Sequence, residues 1–114
     1  MGDSLRAHSR MNWGTTPEAD ADLIRGRKWI EADHPEAAQR FLATARECFD
    51  RLGQLPELGP LARLKGEEFK GLRFLVLDPP FNKWIVFYRV RRIVEILRVL
   101  YGTQDWRGEP KRFF

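Results

Sequence analysis

Cysteine is almost absent from this sequence, and that scarcity removes several classes of protein. A single Cys48 among 114 residues excludes an internal disulfide and any multi-cysteine metal site. Cys48 falls in a helix-patterned stretch beside Ala45 and Phe49, and reads as a buried structural thiol. Histidine is nearly as rare. His8 and His34 lie far apart, without carboxylate or cysteine neighbours at ligand spacing, so no metal is expected. No apolar run approaches the roughly 18 residues needed to cross a bilayer, and the N-terminus lacks a hydrophobic signal core. A cytoplasmic protein without a membrane partner is the expectation. The length allows one core and no second domain.

Charge is present but unevenly spread. Residues 1–60 carry 8 Lys/Arg against 10 Asp/Glu, a balance of −2, whereas residues 61–114 carry 12 against 6, a balance of +6. An acidic partner would be drawn to the second half.

Along the chain, residues 1–10 are polar and without pattern and read as a flexible leader, with Met11 an alternative natural start. A short first strand is expected over Arg10–Trp13, with Met11 and Trp13 on one side. Thr16 followed by Pro17 and Glu18 then supplies a cap, a proline at the first helical position and an acid at the positive helix end. Ala19, Leu23, Gly26 and Ile30 fall on one face of that helix. His34-Pro35-Glu36 repeats the device less well, with Asp33 a candidate to share the cap. A second helix follows, with Ala38, Phe41, Ala45, Cys48 and Leu52 as its stripe, widened by Leu42 and Phe49, and Gly53 as its C-terminal cap. The link is short, so the two helices should form an antiparallel hairpin.

After a Pro/Gly loop at QLPELGP and an ambiguous charged stretch, the period becomes strand-like in LRFLVL (72–77), WIVFYRV (84–90) and IVEILRVLY (93–101). A two-residue turn at Arg91-Arg92 would place Tyr88, Val86 and Trp84 opposite Glu95, Leu97 and Val99. Phe87 and Ile85 would then meet Ile96 and Arg98 on the other face. Arg-Arg lacks the Gly or Asn that tight hairpins favour, so a longer loop is the alternative. The fold class is α+β, an N-terminal antiparallel helical hairpin packed on a small, mainly antiparallel sheet.

Three pieces of the chain resemble the RelE/ParE superfamily of toxins from type II toxin–antitoxin systems. They are PEADADLIRGRKWIEADHPEAAQRF (17–41), GLRFLVLDPPFNKWIVFYRV (71–90) and the closing VEILRVLYGTQDW (94–106). The resemblance spans a toxin domain at 11–106, leaving 107–114 as a C-terminal tail. Arg98-Val99-Leu100 and Asp105 lie closer to the ParE branch, whose best-known members are implied to poison DNA gyrase. RelE-like members are implied to be ribosome-dependent endoribonucleases. Where relatives commonly have His and Arg, this chain has Tyr101 and Gln104.

Cleaving RNA requires deprotonation of a 2′-hydroxyl, protonation of the leaving oxygen and compensation of phosphate charge. Histidine is the usual base, and the candidate face has none. A tyrosine, with an ordinary pKa of about 10, would need a strong shift to replace it. If the chain is a ribonuclease, Arg73, Arg98 and Tyr101 are the candidate catalytic residues. As a binding protein its candidate contacts are Arg63, Lys65, Lys70, Arg73, Arg98 and Trp106. Whether it is an enzyme stays open.

Some of these residues also have structural readings. Arg98 lies among apolar residues, so it is either satisfied by backbone carbonyls or Asp105, or presented to a nucleic acid, gyrase or an antitoxin carboxylate. Glu95 reads as a structural partner for Tyr88 rather than as a general base. Trp84 and Trp29 read as core, whereas Trp106 suits local packing and partner contact equally. Phe113 and Phe114 lack a core position and read as an interface or self-association surface.

The implied partners are a cognate antitoxin and DNA gyrase, with the ribosome and its message as the alternative target. A toxin–antitoxin hetero-oligomer is implied, no cofactor is, and a relative that has lost toxicity but still binds antitoxin is a third reading. An acidic antitoxin segment would suit the basic half.

Overall fold

Thr16 starts the first helix as its chemistry dictates. In the computed structural model, which describes residues 12–102 and 105–114, its backbone is extended and its Oγ1 accepts a hydrogen bond from the Ala19 amide at 3.0 Å. Pro17 opens helix α1 (Pro17–Asp33), with Glu18 and Asp20 in the first turn. Its inward face buries Ala19, Asp22 and Gly26, with Leu23 and Ile30 packed at the margin. Gly26 is there because a Cβ would lie 2.9 Å from the Trp84 ring and 3.2 Å from Phe41.

Helix α2 (Pro35–Gln54) follows after His34, whose side chain caps nothing. Asp33 is the last residue of α1, not a cap for α2. Ala38, Phe41, Ala45, Cys48, Phe49 and Leu52 are all buried, while Leu42 lies off the stripe and is exposed. The helix runs past Gly53 to Gln54, because the Leu55 amide still bonds to the Arg51 carbonyl at 2.8 Å. No left-handed residue is needed there, so Gly53 is not the cap.

Four strands, β1 (Trp13–Thr15), β2 (Arg73–Val76), β3 (Trp84–Val90) and β4 (Val94–Tyr101), form one sheet in the order β1-β4-β3-β2. β1 runs parallel to β4, and the other pairs are antiparallel. The first strand thus lies later than Arg10–Trp13. The leader, Met11 and Gln104 fall outside the described residues.

The β3–β4 register differs from the two-residue-turn expectation. Arg91, Arg92 and Ile93 make the connection, closed by a 2.9 Å bond from the Arg91 amide to the Ile93 carbonyl. Val90 pairs with Val94, Arg89 with Glu95 and Tyr88 with Ile96. An irregularity between Phe87 and Tyr88 then shifts the ladder, so that Phe87 meets Arg98, Val86 meets Val99 and Trp84 meets Tyr101. The wider turn is what a sequence without Gly or Asn forces. The shift in the ladder restores Val99 to the helix side. The wider turn itself sets Ile96 opposite Tyr88, under the helices, and leaves Leu97 on the opposite face, the reverse of the simple alternation.

Two apolar clusters result. The larger, between sheet and helices, includes Trp13, Phe41, Phe49, Leu52, Trp84, Val86 and Tyr88. The smaller lies on the other face, where Ala62, Leu72, Phe87, Leu100 and Trp106 are buried. No helix covers it. Residues 59–64 run along β2, with the Ala62 amide on the Leu72 carbonyl at 2.8 Å, and residues 105–114 fold across.

Candidate interaction site

A buried ion pair joins α1 to β4. Asp22 lies on the inward face of α1 with its side chain 3 % exposed, and Arg98 projects from the stretch of β4 next to the ladder irregularity. Arg98 Nε donates to Asp22 Oδ2 at 2.7 Å and Nη2 to Oδ1 at 2.9 Å, a bidentate pairing. Its Nη1 donates to the Phe113 carbonyl at 2.8 Å. The Val99 amide and the Arg25 guanidinium also donate to the Asp22 carboxylate, at 2.9 and 2.8 Å. The hydrogen bond to Asp22 pushes the Arg98 pKa above its ordinary value, against the opposing effect of burial.

Arg98 is therefore satisfied in part by a backbone carbonyl, as expected, but its acidic partner is Asp22. Asp105 instead accepts from the Gly108 amide at 3.0 Å, closing the turn that begins the tail.

The pair stands where β4 runs past the end of β1. β1 covers only Val94–Ile96 of that edge. Beyond it, α1 side chains take over: Thr16 Oγ1 donates to the Leu97 carbonyl at 2.9 Å and Asp22 receives the Val99 amide. Further along, α1 and β4 diverge into a groove of about 290 Å³ lined by Arg25, Gly26, Trp29, Trp84 and Tyr101. Trp29, expected in the core, is 62 % exposed on its rim. It sits three residues after Gly26 and touches Tyr101 and Trp84 edge-on with ring centroids 5.6 and 6.3 Å away.

The other candidate residues are dispersed. Arg98 and Tyr101 share the groove, but Arg73 lines a different one with Leu55, Pro56, Leu58 and Val90. Arg73 Nη1 donates to the Gly59 carbonyl at 2.7 Å. Arg63, Lys65 and Lys70 are exposed on the segment leading into β2, where Lys70 faces Glu67 at 3.8 Å. Trp106 is buried against Phe74 and Phe87, beneath the Arg107 guanidinium. Phe113 and Phe114 pack on the same cluster, with Phe114 4.9 Å from Phe87 and still 38 % exposed. They have a core position after all.

Tyr88 does not pair with Glu95. It turns under the helices, donating to the Pro56 carbonyl at 2.8 Å and accepting from the Gly59 amide at 2.9 Å. Burial pushes its pKa up. Gly59 permits that contact, because a Cβ there would lie 2.9 Å from the Tyr88 hydroxyl and would clash with the Phe74 carbonyl oxygen. Cys48 is buried as expected, and desolvation pushes its thiol up to about 11.

The arrangement matches known proteins. Residues 15–106 match the family model described as ParE toxin of type II toxin-antitoxin system, parDE. The chain belongs to the ParE toxin family. It is similar to "Putative toxin Y4kP" of Sinorhizobium fredii, with 39 % identity over 79 residues covering 68 % of this chain and 74 % of that protein. Its fold is similar to that of a chain in the structure titled "Chromosomal ParDE TA system from P. aeruginosa". The TM-score is 0.64 at 24 % identity, over 81 % of this chain and 96 % of that one. As a ParE-family toxin of a type II system, the chain has an antitoxin as its counterpart. Among the described residues no helix is long and apolar enough to cross a membrane.

Asp22 and Arg25 did not emerge from sequence reasoning, and Trp29 was read as core. The available signal was a pair of misplaced charges: Asp22 between Ala19 and Gly26 on an apolar helix face, and Arg98 between apolar residues in a strand.

Proposed function

We propose that this ParE-family toxin arrests growth by inhibiting DNA gyrase, acting by binding rather than by catalysis of its own, and that its antitoxin neutralises it. The observation that carries this reading is how its cations are engaged. Phosphodiester cleavage needs unoccupied cations converging on one phosphate beside a proton acceptor. Here Arg98 is held by the Asp22 carboxylate and the Phe113 carbonyl, and Arg73 donates to the Gly59 carbonyl in a separate groove. Exposed Arg63 and Lys65 can meet an acidic protein surface, as can Lys70 by exchanging its solvent-exposed pairing with Glu67, and Trp106 supports the second face from beneath.

The test is DNA supercoiling by purified gyrase, with and without toxin freed from its antitoxin. Inhibition with accumulation of cleaved DNA is expected. Unchanged supercoiling at micromolar toxin, with refolding verified by circular dichroism, overturns the reading. Loss of ribosome-bound message that depends on Tyr101 would then point to the ribonuclease alternative.

A further inference from the structure

The end of β4 has an unfinished edge. Because the Gly102 amide bonds to the Lys83 carbonyl and Leu100 pairs with Ile85, Arg98 and Leu100 turn their backbone groups toward β3. Val99 and Tyr101 turn theirs outward. Asp22 takes the Val99 amide, but the Val99 carbonyl and the Tyr101 amide meet no partner among the described residues. A carbonyl and an amide two residues apart on one strand edge form the slot that a single residue of an added parallel strand fills with its own N–H and C=O. β1 uses the same edge of β4 at Val94–Ile96, in the same parallel sense.

We propose that the groove between α1 and the end of β4 is a docking site for a short extended segment of the antitoxin. That segment continues the line of β1 and carries an apolar or aromatic side chain beside an acidic one. This rests on the toxin–antitoxin reading and goes beyond it by naming the surface and the form of the partner.

The unfinished edge selects a polypeptide backbone. The apolar side chain lies on Trp29, whose exposed ring is backed by Tyr101 and Trp84, the kind of aromatic anchor that dominates binding energy at interfaces. The acid meets Arg25, whose side chain is 69 % exposed while one nitrogen holds Asp22. A nucleic-acid backbone fits poorly. The Asp22 carboxylate lies in the groove wall, and the open backbone pair offers one donor and one acceptor where phosphates need donors.

The test uses the toxin and its co-expressed antitoxin. Amide exchange across residues 99–102 is compared between refolded free toxin and the purified complex, and antitoxin affinity is titrated for Trp29→Ala, Arg25→Glu and Ile24→Ala. Ile24, 52 % exposed but outside the groove, serves as control. The expected results are exchange at least tenfold slower across 99–102 in the complex and about 30-fold weaker binding for Trp29→Ala. Arg25→Glu should also bind more weakly, and Ile24→Ala should be unchanged.

A complex that forms with unaltered exchange across 99–102 would overturn the proposal while leaving the toxin–antitoxin reading standing. The same holds if folded Trp29→Ala binds antitoxin within threefold of the unmodified toxin yet no longer inhibits gyrase, which would give the groove to the target. If the unmodified toxin forms no complex, the toxin–antitoxin reading fails first and takes this proposal with it.

Discussion

The two faces of the sheet are closed by different means. Toward the helices, Phe41, Phe49 and Leu52 from one regular stripe meet Trp84, Val86 and Ile96, and every one of them is buried. On the far face, Phe87 and Leu100 are covered by a loop and a tail that present Trp106, Phe113 and Phe114, and several of the contributors remain half-exposed. The first face draws its strength from apolar area removed from water. The second adds directed polar contacts, chiefly Arg98 Nη1 on the Phe113 carbonyl. Its ion pair between Lys111 and Glu68, 3.9 Å apart with side chains 83 % and 52 % exposed, contributes little by comparison. A repeating cover can be strong without being specific about any one residue, whereas an irregular cover depends on a few anchors.

Asp22 and Arg98 tie the two faces together, so Asp22→Ala is the sharpest way to break the comparison. It strands a guanidinium and the Val99 amide, and about 3–5 kcal/mol of stability should be lost in urea unfolding. Asp22→Asn, which keeps an acceptor, should lose less. A loss below about 1 kcal/mol for Asp22→Ala would mean that the faces stand independently. Next, Phe41→Ala on the helix side should cost about 3–5 kcal/mol. Phe114→Ala on the far side, already partly exposed, should cost about 1 kcal/mol in the same assay. Equal losses would erase the distinction.

Removing one hydroxyl is a smaller perturbation. Tyr88→Phe leaves the Pro56 carbonyl and the Gly59 amide without their partner, an expected loss of about 1–3 kcal/mol.

A further modest effect is a dependence on pH. The Cys48 thiol sits at about 11 in the fold against 9.0 as its ordinary value. Below pH 9 it is neutral in both states and contributes no change. Between 9 and 11 the unfolded chain ionises first, so stability falls as pH rises, by about 1.4 kcal/mol at pH 10. Tyr88, also raised, adds to the fall at higher pH. Unfolding midpoints at pH 8 and 10 read the slope, and Cys48→Ala should flatten the part between 9 and 11.

Legibility in the sequence follows the same division. The α2 stripe, the Thr16 cap and all of β3 were readable because their signals are local and periodic. The β3–β4 register was not, since a wide turn and a shift in the ladder each displace an alternation that assumes neither. At the candidate site, Arg98 was visible as an anomaly in a strand, and Tyr101 as a departure from the residue that similar chains carry. Asp22, 76 residues away, acquires its meaning only when α1 lies along β4. Trp29 has the hydrophobicity of a core residue, and nothing local says that its ring lies on the rim of a groove instead. The tail carried aromatics without period, so its docking on Phe87 depends wholly on tertiary geometry.

β4 is the last strand in the chain and lies between the first strand and β3. During synthesis β1 waits for a partner 81 residues downstream, Trp13 for Val94, while β2 and β3 have only each other. Contacts of such separation close late and slow the folding of small domains. A message cut short before residue 94 yields a chain that lacks the middle of its sheet, not its margin, together with Arg98, the partner that Asp22 needs. Such a fragment cannot assemble this sheet, and it lacks the strand that forms one wall of the groove beside α1.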